Sequence, residues 1–85
     1  MTRLWLQGEQ VKVWNREGTP AGFNWQGETH HILGVCNCWR IHTRWWEPQH
    51  AIWREYWKVV TDVGLLCLIY EDLPSGGWFL SRVYD

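Results

Sequence analysis

Along most of this chain apolar and polar residues alternate with a period of two, in short runs closed by Gly, Pro, Asp or Ser. Successive side chains of a strand point to opposite sides, so the pattern describes strands with one buried face. A first strand is predicted over residues 10–14, closed by Asn15-Arg16-Glu17-Gly18-Thr19-Pro20. Residues 22–25 and 29–39 read as a hairpin around Gln26-Gly27, where glycine supplies the positive φ of a tight turn. Over 54–61 Tyr56 and Lys58 fall on one side, Trp57 and Val59 on the other. Asp62-Val63-Gly64 then turns the chain into a strand over 65–71. Asp72-Leu73-Pro74-Ser75-Gly76-Gly77 makes a further reversal before a last strand over 78–84.

Between His42 and Trp53 the alternation fails. Residues 43–53 read as a long loop with room for one helical turn near Pro48, a residue suited to the first position of a helix. The chain shows no linker, low-complexity tract or convincing repeat. The reading is therefore one all-β domain over residues 1–85, an antiparallel meander of five or six strands curled into a partly open barrel of the SH3-like kind.

Composition sharpens this picture at one point. Nine of the 85 residues are tryptophan, spread along the whole chain. A small domain seals its core with a few indoles, so the surplus is expected at the surface as contact area. Trp25, Trp39, Trp57 and Trp78 fall within predicted strands and are assigned to the core. Trp45 and Trp46 are adjacent in the loop, so they cannot both face one core. With Arg40, Arg44 and Arg54 near them in sequence, they form the candidate binding patch, in which Trp and Arg suit either a protein hot spot or the stacking of single-stranded bases.

Charge and chemistry narrow the function class. Eight Lys and Arg against nine Asp and Glu leave a net charge of −1, which disfavours tight nonspecific binding to duplex nucleic acid. No run approaches the ~20 apolar residues of a membrane span, so no membrane contact is expected and the protein reads as cytoplasmic. Three cysteines are too few and too odd for a disulfide scaffold and are expected to be reduced. Cys36 and Cys38, with His30 and His31 on the same strand, lack the paired spacing of a zinc site, and both thiols are expected to point into or along the core. Asp62, Asp72 and Asp85 read as turn residues and a chain end, not a metal pocket. Ser75, Ser81 and Cys38 have no partner that spacing can name, and Ser75-Gly76-Gly77 lacks the Lys and helix of a phosphate loop. No catalytic residue, metal or cofactor is expected.

The pattern Gly18-x-Pro20-x-x-Phe23-x-Trp25-x-Gly27, then Trp39, Arg44-Trp45-Trp46, Arg54-Glu55-x-Trp57-x-Val59 and Asp72-x-x-Ser75-Gly76-x-Trp78-x-Leu80-x-Arg82-Val83-Tyr84-Asp85 resembles a family of short bacterial proteins, the DUF6504-like proteins. The likeness runs from about Val11 to the C-terminus. It implies no assigned activity, only a genomic association with Y-family polymerase-like components of a mutagenic repair cassette. Where members carry basic residues around the Gly27 turn, this chain has Gln26, Glu28 and His30, which lowers positive charge there.

The expected function is thus a non-catalytic interaction module with a protein partner, which the resemblance places among repair polymerase components. The alternative is a single-strand nucleic-acid binder. Self-association through a strand edge stays open. In either function Arg40, Arg44, Trp45, Trp46 and Arg54 carry the contact.

Overall fold

Two tight turns set the register of the first half of the chain. Glu17 and Gly18 have φ of 54° and 79°, and Gln26 and Gly27 have 52° and 76°. Both central residues of each turn are left-handed, the geometry whose twist matches that of flanking strands. The computed structural model describes residues 3–43, 46 and 51–84, with side chains from residue 8 onward. The two turns join β1 (Arg3–Arg16), β2 (Thr19–Trp25) and β3 (Glu28–Thr43). β4 (Ile52–Thr61), β5 (Leu66–Asp72) and β6 (Gly77–Tyr84) complete six antiparallel strands, an all-β barrel of the small SH3-like kind with no helix among the described residues.

The later turns use the chemistry their sequences offer. Gly64 (φ 82°) donates its N–H to the Thr61 carbonyl at 3.0 Å. The Asp72 carboxylate accepts from Ser75 Oγ at 2.7 Å while its carbonyl accepts the Gly76 N–H at 2.7 Å.

Closure comes from splitting the long strands. β1 pairs with β6 between Arg3 and Val11, then with β2 from Lys12 to Arg16. β3 pairs with β2 at residues 28–31 and with β4 from Ile32 to Thr43. β1 bends at a register shift between Leu4 and Glu9, where Gly8 has φ of 76°. A Cβ on Gly8 would stand 2.7 Å from the Tyr70 hydroxyl and 2.8 Å from Phe79 Cβ, so only glycine lets β1 lie against these rings.

Inside the barrel, Val11, Phe23, Trp25, Val59, Cys67, Ile69, Leu80 and Val83 form the core, with Trp57 and Trp78 packed against it. Each fully buried Phe, Ile or Leu contributes about 1.5–3 kcal/mol relative to exposure. Trp25, Trp57 and Trp78 thus take the structural role expected of them. Trp39 does not, because its strand turns it to the outer face, where it stacks on Tyr56 at 5.5 Å. The cysteines also depart from expectation. Cys36 and Cys38 are exposed, Cys36 within the bulge between Val35 and Asn37 and Cys38 opposite Trp57 on the side of Arg40; of the three only Cys67 lies in the core.

The strands extend further than alternation indicates. His42 pairs with Trp53 and Thr43 with Ile52, and the His42 and Trp53 rings stack at 4.9 Å and 16°. The loop is therefore shorter than 43–53, and the helical turn expected near Pro48 lies outside the described residues.

Candidate functional site

Adjacent residues of a strand face opposite ways, so two neighbouring rows of the sheet formed by β3, β4, β5 and β6 present different chemistry on its two sides. On the outer side Trp39, Tyr56, Tyr70 and Phe79 are successive cross-strand partners. Their rings form one file, with centroids 5.5, 5.1 and 5.2 Å apart and interplanar angles of 7°, 40° and 21°. The Arg54 guanidinium lies 4.4 Å over the Tyr70 ring and donates to the Tyr56 hydroxyl at 3.2 Å. Tyr70 is only 3% exposed despite facing outward. Burial pushes its hydroxyl above the usual tyrosine range, and the nearby Arg54 opposes that shift.

Two residues further along β4, Lys58 shares a row with Leu68 and Arg82. Lys58 Nζ and Arg82 Cζ lie 5.2 and 5.5 Å from the Tyr84 ring centroid. Neither cation meets a carboxylate among the described residues, and Arg82 Nε is buried without a hydrogen-bond partner. Opposite-face charge is reversed. Arg40, Glu55, Glu71 and Trp78 are successive partners on the inward side, and Arg40 Nε donates to Glu55 Oε2 at 2.7 Å. That bond raises the Arg40 guanidinium above its usual range. Burial raises the Glu71 carboxyl above the ordinary range, the facing Glu55 adds to the rise, and Arg40 opposes it. Glu9, also inward, accepts the Trp25 indole N–H.

This arrangement divides the residues expected to form one patch. Arg40 and Arg54 lie on opposite faces of β3–β4, the first held by Glu55 and the second by Tyr56 and Tyr70. Trp46 is 63% exposed, while Arg44 and Trp45 lie outside the described residues. Sequence reasoning did not single out Trp39, Tyr56, Lys58, Arg82 or Trp53. The available signal was the even spacing of Arg54, Tyr56 and Lys58 along β4, which puts all three on one side.

β3 has a further property. From residue 33 to residue 43 it pairs with β4 alone, and no strand among the described residues lies along its other edge. There the Cys38 N–H takes the Asn37 side-chain oxygen at 2.8 Å, a local substitute for a strand partner. Leu33 is 72% exposed and Val35 is exposed at the end of the β3–β4 pair near Thr61, while Ile52 and Trp53 are exposed at its other end, opposite Thr43 and His42. Among the described residues no group of three or more His, Cys, Asp or Glu side chains is placed to hold a metal ion. No helix of the structure is long and apolar enough to cross a membrane.

Residues 5–85 fit the family described as Domain of unknown function (DUF6504), and the chain belongs to that family. Nothing among curated proteins or solved structures matches it.

Proposed function

We propose that this DUF6504 chain is a non-catalytic interaction module that receives an extended segment of a protein partner along the open edge of β3. The observation that carries the reading is that edge itself. Residues 37–43 run in regular register with β4 on one side and, among the described residues, have no strand on the other; the exposed Trp46 follows three residues later in sequence. An unpaired edge offers main-chain donors and acceptors to an incoming strand, and flanking apolar side chains give the contact its selectivity. The edge stretch carries little that guards it, since Arg40 is its one Lys or Arg and is neutralised by Glu55. The repair polymerase components implied by the resemblance are the first partners to try, and the cytoplasm is the compartment in which such a partner would be met.

The test is capture of the partner with the wild-type chain, followed by binding of that purified partner to Trp46→Ala and Leu33→Ser. Trp46→Ala should weaken it by about 2 kcal/mol or more, as for an aromatic hot spot, with stability retained because the indole is exposed. Affinity unchanged by both variants would discard this edge. A concentration-dependent dimer of the chain alone, abolished by Leu33→Ser, would give the edge to a second copy instead.

A further inference from the structure

We infer that the outer face of the β3–β6 sheet is a binding surface for single-stranded nucleic acid. It adjoins the protein-partner edge at Trp39 but does not depend on that reading. The net charge of −1 hides an uneven distribution. Among the described residues Arg54, Lys58 and Arg82 lie on this face with Asp72 as the carboxylate partnered to Arg54 in the ladder, whereas Glu9, Glu55 and Glu71 lie on the inward side. Asp72 is itself engaged by Ser75.

The layout fits a polyanion whose bases are free. The ring file crosses the sheet from Trp39 to Phe79, and Arg54 and Lys58 stand two residues to either side of Tyr56, about 7 Å away along β4. Trp39 begins the file at the open edge of β3: one face of its indole covers Tyr56, and its other face has no ring against it among the described residues. Trp39, Tyr56 and Phe79 are each half-buried, so edges and faces of the file reach solvent. Bases stack on such rings while cations take the phosphates. A duplex keeps its base faces inside the stack, and the Asp and Glu of an acidic peptide carry no aromatic ring to stack, so neither uses both halves of the surface.

Arg82 and Lys58 add a second observation. Among the described residues the two cations converge on Tyr84 without a counter-ion, and the buried Arg82 Nε lacks an acceptor. An unpaired polar atom of this kind is a cost to the folded chain that an anionic oxygen would relieve.

The experiment is fluorescence anisotropy with labelled oligothymidine and oligouridine of about 16 nucleotides, titrated from low to moderate salt. Both are expected to bind, with affinity falling steeply as salt rises. Trp39→Ala should weaken binding at least about five-fold. Lys58→Gln and Arg82→Gln should each reduce the slope of log affinity against log salt by about 0.7. Arg40→Gln, on the opposite face, should leave affinity within two-fold, and so should Trp46→Ala, which separates this surface from the partner edge. Circular dichroism melts confirm that each variant is folded. Preference for either oligonucleotide supports the surface and ranks DNA against RNA. The inference is overturned if neither binds at low salt, if duplex competes as well as single strand, or if Arg40→Gln weakens binding as much as Lys58→Gln.

Discussion

The row Trp39–Tyr56–Tyr70–Phe79 and the row Arg40–Glu55–Glu71–Trp78 are one residue apart on the same four strands, yet they have little in common. The first is a file of rings capped by a guanidinium. The second sets two carboxylates directly opposite each other, a repulsive cross-strand pair relieved from one side by Arg40. A period of two lets one stretch of sequence build both. The comparison shows that an average charge near zero excludes little about a sheet protein, because each face carries its own balance.

The largest expected effect tests whether the outer row is structure or only surface. Tyr70 faces away from the core but is as buried as a core residue, held among Tyr56, Phe79, Arg54 and the backbone of Gly8. Tyr70→Ala should therefore cost about 3–5 kcal/mol in urea denaturation, the range for removing a buried aromatic ring. A cost below about 1.5 kcal/mol would mean that the row is loosely laid on the sheet. Gly8→Ala probes the same packing from β1. It places a side chain at φ of 76° and pushes against Tyr70 and Phe79, so a loss of about 2 kcal/mol or more is expected. An unchanged melting temperature would show that β1 does not hold the file of rings in place.

Part of this contrast was legible in the sequence. The Gln26-Gly27 turn, the β4–β5 reversal at Asp62-Val63-Gly64 and the Asp72–Gly77 turn were read correctly because turn chemistry is local. So was the inward direction of Trp57 and Val59. The lengths of β1 and β3 were not: the bulge at Gly8 interrupts the alternation without ending β1, and β3 runs on past Trp39 to Thr43 through pairs with residues 52–55 that lie across a loop and leave no local pattern. The bulge at Cys36 also breaks the regular count of two, and both thiols are exposed, Cys38 on the same side of the sheet as Arg40. Sequence proximity misled most at Arg40 and Arg54, which look like parts of one patch. The outward row itself was hidden because its members come from four strands, and their alignment depends on registers that no single segment specifies.

The inward row gives a smaller, pH-dependent effect. Glu71 has a folded pKa raised by burial and by Glu55, so the folded state holds its proton more tightly than the unfolded state does. For a carboxyl raised in this way, ionisation costs stability. The penalty is present above the raised folded value and is relieved as pH falls through it toward the ordinary carboxyl range. Glu71→Gln should consequently stabilise the protein at neutral pH by up to about 1 kcal/mol, the scale of a like-charge cross-strand pair. The gain should fade in denaturation curves recorded at acid pH. A variant that destabilises at neutral pH would show that Arg40 already over-compensates the pair.

The smallest effect separates charge from packing on that row. Arg40 is mostly exposed, 65% at its side chain, and its bond to Glu55 is a surface ion pair. Such pairs contribute little to stability and weaken as salt screens them. Arg40→Gln leaves Glu55 and Glu71 facing each other without a cation between them, so its small loss of stability should grow at low ionic strength and shrink in molar salt. It should also disappear when made together with Glu71→Gln, because the repulsion that Arg40 offsets is then gone. If the two changes add independently in a double-mutant cycle, Arg40 acts on Glu55 alone, and the inward row is a set of separate contacts in place of the coupled triad drawn from the geometry.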